Sequence, residues 1–134
     1  MIDIESEVFS RIKSAVTAEF ENANIASEYI SVIKRFPCVF VYESDNYTKE
    51  DTATSSTSEN HANLMYTVEV YSNKTGTKKS ECKQIMEIVD REMDAIGFTR
   101  TSMQPIQNQF DSAVYRIVAR YRAVASKEKI IYRR

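Results

Sequence analysis

The segment "NLMYTVEVYSN", residues 63–73, alternates its side chains with a period of two. Leu64, Tyr66, Val68 and Val70 fall on one face, and Met65, Thr67, Glu69 and Tyr71 on the other. That is the spacing of a β-strand. A strand leaves its N–H and C=O groups to be met by neighbouring strands, so this segment commits the chain to a sheet. Two other segments carry helical spacing. Residues 3–20 place Ile4, Val8, Ile12, Val16 and Phe20 four apart, one stripe of an amphipathic helix. Asp3 is the expected N-cap, and Glu5 and Glu7 suit the positive end of the helix dipole. Residues 78–96 carry a second stripe, Cys82, Ile85, Ile88, Val89, Met93 and Ile96, which Gly97 is placed to end.

Residues 24–32, 35–44, 98–106 and 112–124 read as further strands, with "QNQFD" as a turn before the last. Phe36-Pro37 opens the second of them, where a residue that cannot donate to the ladder is tolerated. The order αβββαββ predicts an α+β fold: two helices packed on one face of a mostly antiparallel sheet of four to five strands. No internal repeat or linker divides residues 1–134, which are expected to form a single domain. Residues 126–134 form a tail with no partner pattern of their own.

Between the second and third strands lies a long polar loop, residues 45–62, without Gly or Pro. Neighbouring strands are usually joined by two to five residues, and loops beyond about 12–15 are uncommon unless functional or disordered. A polar segment cannot order itself by burying apolar surface. At about 3.3 Å per extended residue, residues 46–61 would reach on the order of 25 Å out and back. They are expected to act as an assembly arm.

The composition excludes several function classes. No apolar run approaches the roughly 20 residues that span a bilayer, and "MIDIESEVFSR" begins acidic, unlike a signal peptide; a cytosolic setting without membrane contact is expected. Cys38 and Cys82 then read as free structural thiols, and with the single His61 they make no metal set. Gly76 and Gly97 are the only glycines, so no Gly-rich phosphate loop exists, nor any G-x-S-x-G, H-E-x-x-H or C-x-x-C. No catalytic residue, cofactor or enzymatic activity is expected. His61 reads as an exposed loop histidine. Asp90, Glu92 and Asp94 read as a solvated face, because residues two apart on a helix diverge. The eight tyrosines read as strand core, not as a nucleic-acid stacking platform. The net charge of −1 also argues against general nucleic-acid binding.

That small net charge hides an asymmetry. Residues 1–62 hold five Lys/Arg against eleven Asp/Glu, and residues 63–134 hold thirteen against eight. In the last strand Arg116, Arg120 and Arg122 share a face with Val114, Val118 and Val124. Arginine mixed with apolar residues is an interface composition. Glu43, Asp45, Glu50 and Asp51 are the acidic counterpart, which suits head-to-tail contacts between copies. In the tail "KEKIIYRR", Ile130, Ile131 and Tyr132 with flanking cations are expected to dock on an acidic neighbour.

The phrases "SEYI", "FPCVFVYESDN", "YTVEVYSN", "CKQIMEIVDREMDAIGFTR" and "DSAVYRIVARYRAV" together resemble the tail terminators and tail-completion (minor capsid) proteins of long-tailed bacteriophages. The resemblance spans about residues 1–125 and matches mostly fold-makers: Phe36-Pro37, Tyr66 to Tyr71 and Gly97-Phe98. It implies a structural virion protein that forms a ring, usually hexameric, caps the tail tube, stops its polymerisation and joins the tail to the head. The implied partners are copies of itself, the tail tube protein and the head-tail connector protein, with no nucleic-acid specificity. The implied location is the neck end of the virion tail, after assembly in the host cytoplasm. A head-tail connector stopper or adaptor, and a non-viral soluble binding module, are the alternatives.

Overall fold

Helix α1 (Glu5–Glu19) and helix α2 (Lys78–Ile96) lie on the same side of a six-stranded sheet in a computed structural model of the chain. Residues 1–28, 32–48, 61–106 and 113–132 are described. The strands are β1 (Asn24–Ala26), β2 (Cys38–Thr48), β3 (His61–Ser72), β4 (Thr99–Pro105), β5 (Tyr115–Ser126) and β6 (Ile131–Tyr132). Their spatial order is β1-β2-β3-β5-β4, with β6 paired to β5 beyond the start of β4. Every pairing is antiparallel except β1 with β2. The expected α+β class and the one-sided packing of the helices are therefore observed, on a sheet one strand larger than expected.

Periodicity explains the core. The α1 stripe buries Ile4, Val8, Ile12 and Val16, with Phe20 half-buried at its end. The α2 stripe buries Cys82, Ile85, Ile88, Val89 and Met93, and Met86 beside them. Both stripes meet one sheet face: Val39 and Val41 of β2, Leu64, Tyr66, Val68 and Val70 of β3, and Ile117, Ala119, Tyr121 and Ala123 of β5. The alanines keep that face low under the helices. Tyr66 meets Phe98 edge-on at 5.3 Å between ring centres, a favoured aromatic geometry.

The ends of the elements depart from the expectations in instructive ways. Ile4, not Asp3, holds the N-cap position of α1, and Asp3 Oδ1 instead accepts from the Glu5 amide at 3.0 Å. Gly97 closes α2 with φ of 118°, a left-handed conformation that glycine adopts without steric cost. Of the strand expected over 24–32, Asn24–Ala26 pairs in parallel with Cys38, Val39 and Phe40 of β2, and residues 29–31 lie outside the described residues. The strand expected over 35–44 starts after Pro37 and runs on to Thr48, passing a register shift between Glu43 and Asp45. β3 starts at His61, so the two ends of the expected 45–62 loop are ladder: Asp45, Asn46, Tyr47 and Thr48 pair with Met65, Leu64, Asn63 and Ala62. Polar residues form these hairpin arms because backbone pairing is indifferent to side-chain polarity. Residues 49–60, the rest of the assembly-arm reading, lie outside the described residues, as does the "QNQFD" turn.

The C-terminal tail also has a place of its own, contrary to expectation. Ile131 and Tyr132 pair with Ala125 and Val124. Ile131 packs against the main core, and a Cβ added at Gly97 would stand 3.0 Å from its Cγ2. Ser126 organises the intervening turn: its amide donates to Ile130 O, and its Oγ accepts from the Ile130 amide at 3.1 Å. Lys129 then reaches Glu7 of α1 at 2.9 Å.

Candidate interaction surface

The sheet face away from the helices carries most of the residues expected to form an interface. Its cross-strand rows follow from the register. Phe40, Glu69, Val118 and Gln104 form one row, and Tyr42, Thr67, Arg120 and Ser102 the next. Asp45, Met65, Arg122 and Thr99 form a third, and Tyr47, Asn63, Val124 and Tyr132 a fourth.

Glu69 organises the middle of this face. Its carboxylate accepts from the Tyr42 hydroxyl at 2.6 Å, from the Tyr71 hydroxyl at 2.9 Å and from Arg116 Nε at 3.0 Å. A second guanidinium nitrogen of Arg116 contacts the same carboxylate, and the guanidinium lies 5.4 Å from the centre of the Tyr71 ring. Burial works to raise the Glu69 carboxyl, but these donors together hold it below the usual carboxylate range. Burial and the Glu69 hydrogen bond push the Tyr42 phenol up to about 12. Arg116 is thus occupied within its own chain and is withdrawn from the expected basic patch. Glu69 lies diagonal to Arg116 across the β3–β5 pair.

Val114, Val118 and Val124, expected as the exposed apolar part of the interface, are all buried, at 8%, 2% and 6% exposure. Val118 and Val124 lie in the sheet among long side chains, which cover apolar neighbours with their stems, whereas Val114 packs just before β5 with Cys38, Phe40 and Tyr71. Arg120 is half-buried and Arg122 exposed, and neither meets a carboxylate among the described residues. These two remain of the basic patch.

Of the expected acidic patch, Glu50 and Asp51 lie outside the described residues. Asp45 is exposed. Glu43 is half-buried and pairs with Tyr66 on the helix side of the sheet, not on the arginine face. There it joins Asp3 and Glu5, which the sequence reading missed because the cluster assembles from the start of α1 and the middle of β2. The Glu43 amide donates to Glu5 Oε2 at 2.8 Å; Asn46 Nδ2 donates to Ile2 O at 2.7 Å and to Glu43 Oε1 at 3.0 Å. Burial, and repulsion from Asp3, Glu5 and Asp45, raise the Glu43 carboxyl against the pull of Asn46.

Other residues singled out in the sequence also find definite places. His61 opens β3 half-buried, 5.7 Å from the ring of Tyr132, and is not an exposed loop residue. Tyr132 is 47% exposed but belongs to β6 of its own chain. Tyr66 and Tyr121 are fully buried, whereas Tyr47 is not. Asp90 and Glu92 are tied down: Asp90 accepts from Tyr121 and pairs with Arg100 at 3.2 Å, and Glu92 pairs with Arg11 at 3.1 Å. Cys38 and Cys82 are buried free thiols, pushed up by burial to about 11 and about 12, which makes them inert at neutral pH.

Among the described residues no three His, Cys, Asp or Glu side chains converge as a metal centre requires. No described helix is long and apolar enough to cross a membrane. The chain matches no protein-family model and no curated protein.

Proposed function

We propose that the chain is a structural protein of a long phage tail: a tail terminator that forms a ring, caps the tube and joins it to the head. It acts sterically, by matching the tube below and blocking further tube subunits above, with no catalytic step. Its partners are copies of itself, the tail tube protein and the head-tail connector protein. Its place is the neck end of the tail.

The observation that carries this reading is the one-sided layering of the domain. Both helices cover one sheet face, while the other bears Arg120 and Arg122 without described partners and the exposed rings of Tyr47 and Tyr132. A surface rich in aromatic residues and arginine suits contact with other protein. The likeness of residues 1–125 to tail-completion proteins supplies the kind of assembly.

The reading is tested in a phage or prophage that carries this gene. Deleting the gene should give headless tails with tubes of uncontrolled length, and supplying the protein in trans should restore both length and head joining. Tubes of normal length, joined to heads without the protein, would overturn the proposal.

A further inference from the structure

Several charges of the described chain are matched internally. Arg11 pairs with Glu92, Arg100 with Asp90, Arg116 with Glu69 and Lys129 with Glu7. Among the described charges that form no ion pair, two groups of opposite sign bear on assembly. Asp3, Glu5, Glu43 and Asp45 have no cationic partner among the described residues, and Arg120 and Arg122 have no anionic one. Asp3, Glu5 and Glu43 gather where the start of α1 runs beside β2; Asp45 follows on β2 but on the arginine face, in the row of Met65 and Arg122. The arginines lie on β5, two strands away, on the face opposite the helices.

We infer that the acidic group is a socket for Arg120 and Arg122 of a second copy of the chain; this rests on the ring-forming reading and names the surfaces that close the ring. Three further observations support it. Beneath the cluster lies the Tyr66 hydroxyl, fully buried and without a hydrogen-bond partner. Tyr66 pairs directly with Glu43 across β2 and β3, and burial, with the charges of Glu43, Glu5 and Asp3 behind it, raises its phenol. The phenol itself is fully buried, so it backs the cluster from within and is not part of the surface a second copy would touch. Beside the cluster runs an open groove of about 550 Å³, lined by Met1, Asp3, Glu5, Ser6, Phe9 and Lys129, the last of which is paired with Glu7. That groove has the volume for a guanidinium and its stem. Finally, Arg120 and Arg122 are two apart on one strand, so they project to the same side roughly 7 Å apart, and arginine is the cation best shaped to pair with carboxylates.

The geometry of the pair also fits a closed ring. The socket is at the β2 side of the sheet and the arginines are on the far face toward β4, so the contact joins two different patches. Such heterologous contacts close into rings, whereas a self-complementary patch stops at a dimer. Competition from strand addition at β2 is reduced beside the socket, because the Glu43 and Asn46 amides are already capped by Glu5 and Asp45.

The test uses two charge-reversed forms of the full chain in native mass spectrometry at low ionic strength, with circular dichroism to follow folding. Asp3→Lys/Glu43→Lys sets cations against the arginines, and Arg120→Glu/Arg122→Glu sets anions against the socket. Each form alone should associate at least about tenfold more weakly than wild type. An equal mixture should restore rings that contain both forms in equal number, because each reversed patch then meets its complement. Either form assembling as wild type does, or a folded mixture that stays monomeric, would overturn the socket and leave the ring reading standing. A wild-type chain that is monomeric even on isolated tails would overturn both. Should the lysine variant not fold, Asp3→Asn/Glu43→Gln keeps the shapes and the acceptor oxygens. It should weaken association several-fold and flatten its salt dependence, and unchanged association would sink the inference.

Discussion

The two faces of the sheet are buried by different means. Under the helices β3 and β5 present Leu64, Val68, Val70, Ile117, Ala119 and Ala123, and burial there needs only size and an apolar surface. On the far face the same strands bury Thr67, Glu69 and Asn63 among valines and tyrosines. Burial of a polar group costs stability unless it is partnered, as Glu69 is by its three donors and, among the described residues, the Asn63 Oδ1 is not. The difference separates what holds the fold from what specifies it. Apolar burial stabilises through area removed from water. A buried carboxylate with its donors contributes little net stability, yet it is costly to break.

Truncation on the helix face therefore gives the largest expected effect. Leu64 is fully buried in the central strand, and Leu64→Ala should cost about 3 kcal/mol in chemical denaturation, since deleted core methylenes leave a cavity. On the far face the prediction has two arms. Glu69→Ala should cost about 2 kcal/mol, because Arg116, Tyr42 and Tyr71 lose their common acceptor. Glu69→Leu combined with Arg116→Met should recover most of that loss, since a buried ion pair can be exchanged for apolar residues at little net cost. If the double variant is as unstable as the single one, the two faces do not differ in the way described.

The pH dependence sharpens the same contrast. A carboxyl held below its unfolded value adds stability above that unfolded value, and the gain is lost as pH falls through the folded one. Glu69 is such a group. Acid should thus destabilise the wild-type chain more steeply below about pH 4.5 than the Glu69→Leu/Arg116→Met chain, as followed by thermal melts across pH.

The helix-covered face was almost wholly legible in the sequence. α2 starts and ends where its stripe and Gly97 place it, and the inward side chains of β3 and β5 follow from a period of two. The far face was legible only in part, because the same periodicity identifies a face without saying what lies against each residue. Arg116 and Glu69 are 47 residues apart, and nothing local shows that one occupies the other. The socket carboxylates come from two distant segments for the same reason. Strand ends were misplaced where polar residues continue a ladder, as in Asp45 to Thr48. β6 was missed because two residues have no period.

That missed strand supplies the next prediction. Removing residues 127–134 deletes the Ile131 contact with Gly97 and the core, the β5–β6 pairing and the Lys129–Glu7 pair. The isolated subunit should lose about 1–2 kcal/mol, most of it from Ile131, and its melting temperature should fall. A truncated chain that melts like the full one would instead make the segment a free arm for partners. Gly97→Ala probes the same contact from the other side. It should cost about 1 kcal/mol or more, because the residue has φ of 118° and its Cβ would press on Ile131.

The smallest expected effect has the opposite sign. Glu43 lies under the helix-side edge of the sheet, where burial and the charges of Asp3, Glu5 and Asp45 raise its carboxyl. A carboxyl raised on folding binds its proton more tightly in the native chain, so its ionisation opposes folding. The penalty grows as pH rises from the unfolded value to the folded one and persists above it. Glu43→Gln removes that charge and keeps an oxygen to accept from Asn46 Nδ2. The isolated chain should therefore gain a few tenths of a kcal/mol at pH 7, the usual scale for a partly exposed charge, and gain nothing at pH 3, where both side chains are neutral. Self-association should move the other way, since the substitution takes one anion from the socket. A variant that is more stable as a monomer and weaker as an assembly would identify Glu43 as a charge that serves the contact between copies at the expense of the fold. A variant that loses stability at pH 7 would show instead that the Glu43 carboxylate is held by its own chain, as Glu69 is.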